Sequence, residues 1–181
     1  ENHKIDRIVF ADGTVWNRSD MYAQKAYNYG TEANNTITVQ NGISNLLYGY
    51  AGNDAMTGGD KNDILYGGLG NDTLNGGAGD DTLDGGLGDD YMRGGTGNNT
   101  YIYRRGYGND SINSYDNAAG SIDTLVLEDI NADEIYLEVR GPSLYFILKD
   151  SQEHVMVDNF FSSENHKIDR IVFADGTVWN R

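Results

Sequence analysis

Asp54, Asp63, Asp72, Asp81 and Asp90 recur at intervals of nine residues, with Asn45 and Asn99 continuing the spacing at either end. Carboxylates at fixed spacing can supply acid–base pairs or oxygen ligands for a hard cation. The rest of the chain favours the second use. Asp and Glu outnumber Lys and Arg 28 to 13, a formal charge of −15. Such a chain repels nucleic-acid phosphates and anionic membrane surfaces and selects cations as partners. No Ser/His/Asp grouping, zinc-binding His pair or nucleophile elbow accompanies the carboxylates, so no catalytic site is expected. The chain has no cysteine, which excludes disulfides, thiolate catalysis and cysteine-based zinc sites.

The elements that carry these residues are short and regular. From Gly49 the sequence divides into nines: GYAGNDAMT, GGDKNDILY, GGLGNDTLN, GGAGDDTLD, GGLGDDYMR and GGTGNNTYI, ending at Ile102. Two degenerate copies precede them, Gly30–Thr38 and Val39–Tyr48, the latter carrying Asn45. Glycine doublets permit positive φ and tight turns. The three residues after each Asx predict a strand whose central residue points inward and whose neighbours point out. Those central residues are Met56, Leu65, Leu74, Leu83, Met92 and Tyr101. One apolar residue per nine buries no core alone, but stacked coils bury a continuous file of them.

The pattern G-G-x-G-x-D-x-U-x, where U is large and apolar, resembles the calcium-binding nonapeptide of RTX (repeats-in-toxin) proteins. The resemblance implies an all-β fold, a right-handed parallel β-roll with two nonapeptides per coil. Repeats n and n+2 then lie above one another. Asp54, Asp72 and Asp90 line one edge, and Asp63, Asp81 and Asn99 the other. Coils about 4.8 Å apart bring like charges together, and Gly49–Asn99 carries nine Asp against Lys61 and Arg93. Several Ca²⁺ ions between successive coils would turn that repulsion into coordination. Backbone oxygens of the turns complete a six- to eight-oxygen shell. The implied contributors are Gly49, Gly58, Gly67, Gly68, Gly70, Gly76, Gly77, Gly79, Gly85, Gly86, Gly88, Gly94, Gly95 and Gly97. Asn45 and Asn99, with one neutral oxygen each, are expected to make weaker terminal sites.

From Tyr101 onward glycines thin out and longer alternating stretches appear, at 123–129, 135–140, 144–150, 154–161 and 167–179. They read as strands with turns at Gly141-Pro142 and Asp175-Gly176. This region resembles the flank that follows the nonapeptides in haemolysin-type proteins, which caps the roll and promotes its folding. Asn109-Asp110 repeats the Asn-Asp of the nonapeptides, making Asp110 a further calcium candidate, with Asp116 and Asp123 weaker ones. Residues 19–29, SDMYAQKAYNY, predict a short helix capped by Ser19 and ended by Gly30. The first eighteen residues, Glu1–Arg18, are identical to Glu164–Arg181. The expected organisation is therefore 1–18, closing strands of a preceding unit; 19–29, a helical linker; 30–102, the roll; 103–181, the flank. The natural period is 163 residues.

The resemblance implies a secreted or surface-located, type I-secreted exoprotein of a Gram-negative bacterium, such as a toxin. In it this module folds on meeting extracellular calcium and assists secretion. The expected partners are calcium, neighbouring repeat units and the type I secretion machinery. The module is expected to be a monomer and not to insert directly into membranes. A calcium-dependent adhesive or carbohydrate-binding module is the alternative. His3, His154, His166 and the repeated Trp16 and Trp179 are expected at surface or packing positions. The outward pairs, such as Thr73/Asn75 and Tyr91/Arg93, are too irregular for ice binding.

Overall fold

The structure is a computed structural model that describes residues 7–9, 11, 15–17, 26–39, 41–117, 120–166 and 168–181. An N-terminal hairpin pairs β1 (Arg7–Val9) with β2 (Val15–Asn17). Eight strands then alternate between two sheets: β3 (Ala26–Thr31), β4 (Thr36–Thr38), β5 (Asn45–Ala51), β6 (Ala55–Thr57), β7 (Ile64–Leu69), β8 (Thr73–Ala78), β9 (Thr82–Leu87) and β10 (Tyr91–Thr96). They are followed by β11 (Thr100–Tyr103), β12 (Asn109–Asn113), β13 (Thr124–Leu127), β14 (Ile135–Arg140), β15 (Ser143–Leu148), β16 (His154–Val157), β17 (Arg170–Phe173) and β18 (Val178–Asn180).

Sheet I has the order β4-β6-β8-β10-β12-β16-β15-β14, and sheet II the order β3-β5-β7-β9-β11-β13-β17-β18. The even strands β4 to β12 and the odd strands β3 to β13 are parallel to their neighbours, as are the steps to β16 and β17. The molecule is thus a parallel β-solenoid with two nonapeptides per coil. Met56, Leu74 and Met92 are in register in sheet I, and Leu47, Leu65, Leu83 and Tyr101 in sheet II. These residues are at most 1% exposed and form one core, each contributing about 1.5–3 kcal/mol by burial.

Strands β7–β10 run six residues, through the glycine doublet, where the sequence predicts three. The doublet is part of the sheet: Gly68 pairs with Tyr50 and Gly86. Its φ of 114°, and a Cβ that would strike the Tyr50 carbonyl, leave room for glycine alone.

The flank continues both sheets. The core file of sheet I extends through Ile112 and Val157, and that of sheet II through Leu125 and Ile171. The antiparallel hairpins β14–β15 and β17–β18 then close them. Tyr103, Leu127, Phe146, Val155 and Phe173 belong to the same buried cluster as the roll. Arg104 ties the two regions, reaching Asp84 at 3.3 Å and Glu128 at 2.6 Å.

The expected helix over 19–29 is corrected where it can be compared. Ser19–Lys25 lie outside the described residues. Ala26–Tyr29 are strand, and Gly30 lies inside β3 instead of ending a helix. The described residues contain no α-helix. The alternation Tyr27-Asn28-Tyr29 suits a strand, and pairing with β5 stacks Tyr29 on Tyr48 at 5.7 Å.

Candidate metal centre

Each Asp of the nonapeptides sits at the end of a turn, immediately before a strand. The parallel 18-residue register therefore brings every second one into line. On the sheet I side, each backbone N–H donates to the carboxylate one coil further on: Asn35 to Asp54 (2.7 Å), Asp54 to Asp72 (2.7 Å), Asp72 to Asp90 (2.7 Å) and Asp90 to Asp110 (3.0 Å). On the sheet II side the series is Asn45 to Asp63 (2.6 Å), Asp63 to Asp81 (2.8 Å), Asp81 to Asn99 (3.2 Å), Asn99 to Asp123 (2.9 Å) and Asp123 to Asp169 (3.1 Å). The predicted stacking of Asp54, Asp72 and Asp90, and of Asp63, Asp81 and Asn99, is thus present. Asp110 and Asp123 extend it.

These bonds use one oxygen of each carboxylate. The second, Oδ2, of Asp54, Asp72, Asp81, Asp90 and Asp110 is buried without a hydrogen-bond partner. The residues are only 1–2% exposed. A buried carboxylate oxygen without a partner is costly, so four of them in the sheet I series and one in the sheet II series call for a cation.

The glycines show where it would lie. A Cβ on Gly49 would collide with Asp54 Oδ2 and the Gly67 carbonyl oxygen. On Gly67 it would meet Asp72 Oδ2 and Gly85 O, and on Gly76, Asp81 Oδ2 and Gly94 O. Gly58 repeats this with Asp63 and Gly76, and Gly85 faces Asp90. Asp63 differs in that its Oδ2 also accepts from Gly59 N–H at 2.6 Å. The cradles at Gly49, Gly58, Gly67 and Gly76 each bring together a carboxylate oxygen and a carbonyl oxygen of the next coil, all hard donors suited to Ca²⁺. Among the described residues no three acidic or histidine side chains cluster in metal-binding fashion. One carboxylate per turn means that backbone carbonyls must supply much of a shell. Gly70, Gly79, Gly88 and Gly97, all at positive φ, shape the turns between strands. Gly68, Gly77, Gly86 and Gly95 lie within the paired strands.

Burial raises the carboxyls of Asp72, Asp81 and Asp123 to about 7, that of Asp90 to about 6 and that of Asp110 to about 8. Backbone N–H donation opposes the shift, and neighbouring carboxylates add to it, Asp90 and Asp54 in the case of Asp72. Two unit charges about 5 Å apart repel by about 3 kcal/mol at an effective dielectric of 20. A cation removes both costs.

Sequence reasoning missed two features. Asp169 precedes the core residue Ile171 by two positions, the same D-x-U spacing as Asp123 and Leu125. That spacing alone would have found it. Within the nonapeptides, the residue before each ladder position forms a second ladder of opposite direction. Asn53 N–H donates to Asn34 at 2.8 Å, Asn71 to Asn53 at 3.0 Å, Asp89 to Asn71 at 3.1 Å and Asn109 to Asp89 at 2.8 Å. Asp80 to Asn62 (2.9 Å) and Asn98 to Asp80 (2.8 Å) repeat it on the other side. Its signal was the Asn or Asp at position five of all six nonapeptides. Asp116, predicted as a weaker ligand, accepts from Gly97 N–H at 3.1 Å, and its charge helps to raise the Asp123 carboxyl. His154 packs on Tyr145 and His166 on Tyr115, while His3 lies outside the described residues.

A parallel β-solenoid with carboxylates between its coils defines a class of repeat protein whose seams are built for hard cations. Comparison with known families agrees. Residues 29–65, 48–83 and 66–101 match the RTX calcium-binding nonapeptide repeat. Residues 1–20 and 144–181 match the haemolysin-type calcium binding protein related domain. The chain is therefore built of RTX calcium-binding repeats followed by that related domain, a second portion of which begins the chain. It is 36% identical over 83 residues to the iron-regulated protein FrpA of Neisseria meningitidis serogroup C. That match covers 44% of this chain and 7% of the relative's length.

Proposed function

We propose that this chain is a calcium-stapled, right-handed β-roll that folds on exposure to extracellular calcium. It serves as a structural, secretion-assisting module of a larger type I-secreted exoprotein. The observation that carries the reading is the set of buried, unpartnered Asp Oδ2 atoms, those of Asp54, Asp72, Asp81 and Asp90 lying beside glycine cradles. In a calcium-poor cytoplasm the carboxylates would hold the coils apart and keep the chain threadable. Outside, calcium would supply the missing partner of Asp54, Asp72, Asp81, Asp90 and Asp110. No reacting group or catalytic pair is invoked, so the module acts by folding. Circular dichroism across a calcium titration tests this. β structure should appear near the 10⁻⁴–10⁻³ M typical of extracellular modules, and magnesium should substitute poorly. A roll fully formed in EDTA, unchanged by calcium, would refute the proposal.

A second reading, a calcium-dependent adhesive module, is favoured by one surface. The outer face of sheet II exposes Tyr27, Tyr29, Tyr50, Leu69 and Leu87, each at 47% or more. Uncharged aromatic surface on so acidic a chain suits contact with a neutral glycan or another protein. Glycan arrays probed with and without EDTA separate the two readings.

A further inference from the structure

Resting on the calcium reading above, the geometry points to a division within the sheet II ladder. Asn45 and Asn99 are hydrogen-bonded seals that replace calcium, not weak calcium ligands.

The argument starts from the two oxygens of an Asp. In Asp63 and Asp81, as in Asp72 and Asp90, Oδ1 accepts the N–H of the preceding coil and Oδ2 faces a glycine cradle. Asn99 keeps the first task, since Asp81 N–H donates to its Oδ1 at 3.2 Å. Only an oxygen can accept that proton, which fixes the orientation of the amide. The atom left to face the cradle is Nδ2, a donor. It donates to the carbonyls of Gly95 (3.3 Å) and Gly97 (3.4 Å). At Gly76 the space beside Cα holds Asp81 Oδ2 and a carbonyl oxygen. At Gly94 the equivalent space, 2.5 Å from a hypothetical Cβ, holds Asn99 Nδ2 and the Tyr101 hydroxyl. That hydroxyl accepts from Gly94 N–H at 3.0 Å and donates to Asp123 at 3.5 Å. Protons stand where a cation would have to bind.

Asn45, at the other end, shares one part of the device, an amide donor held by protein oxygens. Its Nδ2 donates to the carbonyl two residues earlier, Ile43 O, at 2.9 Å, as Asn99 does to Gly97, and also to Asp63 Oδ1 at 2.9 Å. The seals close both ends of the Asp63–Asp81 run. The one at Asn99 joins roll to flank through Asp123 without metal.

Counting calcium on the intact, calcium-saturated chain by native mass spectrometry tests the division, with circular dichroism confirming the fold. Asn99→Ala and Asn45→Ala should each hold as many ions as the wild type, whereas Asp81→Ala should hold one fewer. Asn99→Asp combined with Tyr101→Phe should gain one. The thermal midpoint of Asn99→Ala should fall, with its calcium midpoint within twofold of wild type. Loss of an ion from either single Asn variant, or no gain in the double variant, overturns the inference while leaving calcium-driven folding intact. A wild-type chain that binds no calcium overturns both.

Discussion

Replacing Asp72 by Asn should change the sign of its effect with calcium. Asp72 Oδ1 accepts from Asp54 N–H, a bond that the Asn oxygen can keep. Oδ2 becomes an amide NH₂ and the charge disappears. Without metal, the buried carboxyl is held near 7 from an ordinary 3.8, a difference worth about 4 kcal/mol at 1.36 kcal/mol per unit. Removing it should stabilise the metal-free roll by up to about that amount at pH 8. With calcium, the same substitution removes a ligand. A site with Kd of about 10⁻⁴ M in about 10 mM calcium contributes about 2.7 kcal/mol, which the variant loses. Urea unfolding followed by circular dichroism gives both numbers. The EDTA series would contain enough trimethylamine N-oxide to populate the roll. The variant curve should lie above wild type in EDTA and below it in calcium. A variant less stable than wild type under both conditions would refute the reasoning, because Oδ2 would then be satisfied within the protein.

The pH dependence of the metal-free chain follows from the same residues. The folded pKa values of Asp72, Asp81, Asp90, Asp110 and Asp123 are raised to about 6–8, so they contribute stability that is full below pH about 4 and lost as pH rises through 6–8. In EDTA the β signal should be greater at pH 4.5 than at pH 8, and calcium binding at pH 7 should release protons; equal spectra at the two pH values would contradict this. Gly67→Ala places a methyl against Asp72 Oδ2 and Gly85 O, and should raise the calcium midpoint several-fold, measured by the same titration. A chain ending at Tyr103 exposes the core at Tyr101 and loses the partners β12, β13, β16 and β17. It should stay disordered at calcium levels that fold the intact chain, as judged by circular dichroism. Deleting residues 1–18 should leave the calcium midpoint within about twofold.

The roll was legible because its repeat is rigid. Nine residues fix a turn, an Asx pair and a core position, and the register then follows from the 18-residue coil. The flank was legible as strands but not as a continuation of the same two sheets. Its spacings between ladder Asp residues are 20 from Asp90 to Asp110, 24 from Asn99 to Asp123 and 46 from Asp123 to Asp169. A nine-residue frame cannot bridge those intervals, whereas the D-x-U triplet can. The strand at Ala26–Thr31 was hidden because Ala, Gln and Lys just before it favour helix. Pairing with β5 and stacking on Tyr48 outweigh that local preference.

The two adjacent polar positions of the nonapeptide do opposite work. At position five, the side-chain oxygen accepts from the following coil, and most of these residues are exposed and neutral Asn. Water can solvate them, so this seam costs little without metal. At position six, the oxygen accepts from the preceding coil, and the residue is buried and acidic. Each coil is therefore gripped from both directions, once by a seam of exposed, mostly neutral side chains and once by a seam of buried carboxylates. Moving the charge from position six to position five would leave net charge and hydrogen-bond count unchanged but expose it to solvent. The double substitution Asn71→Asp with Asp72→Asn makes that exchange within one repeat. It should weaken the calcium dependence of folding without abolishing the roll, as read by circular dichroism across a calcium titration. If the exchanged chain keeps the wild-type calcium midpoint, net acidity and not the buried position sets the switch.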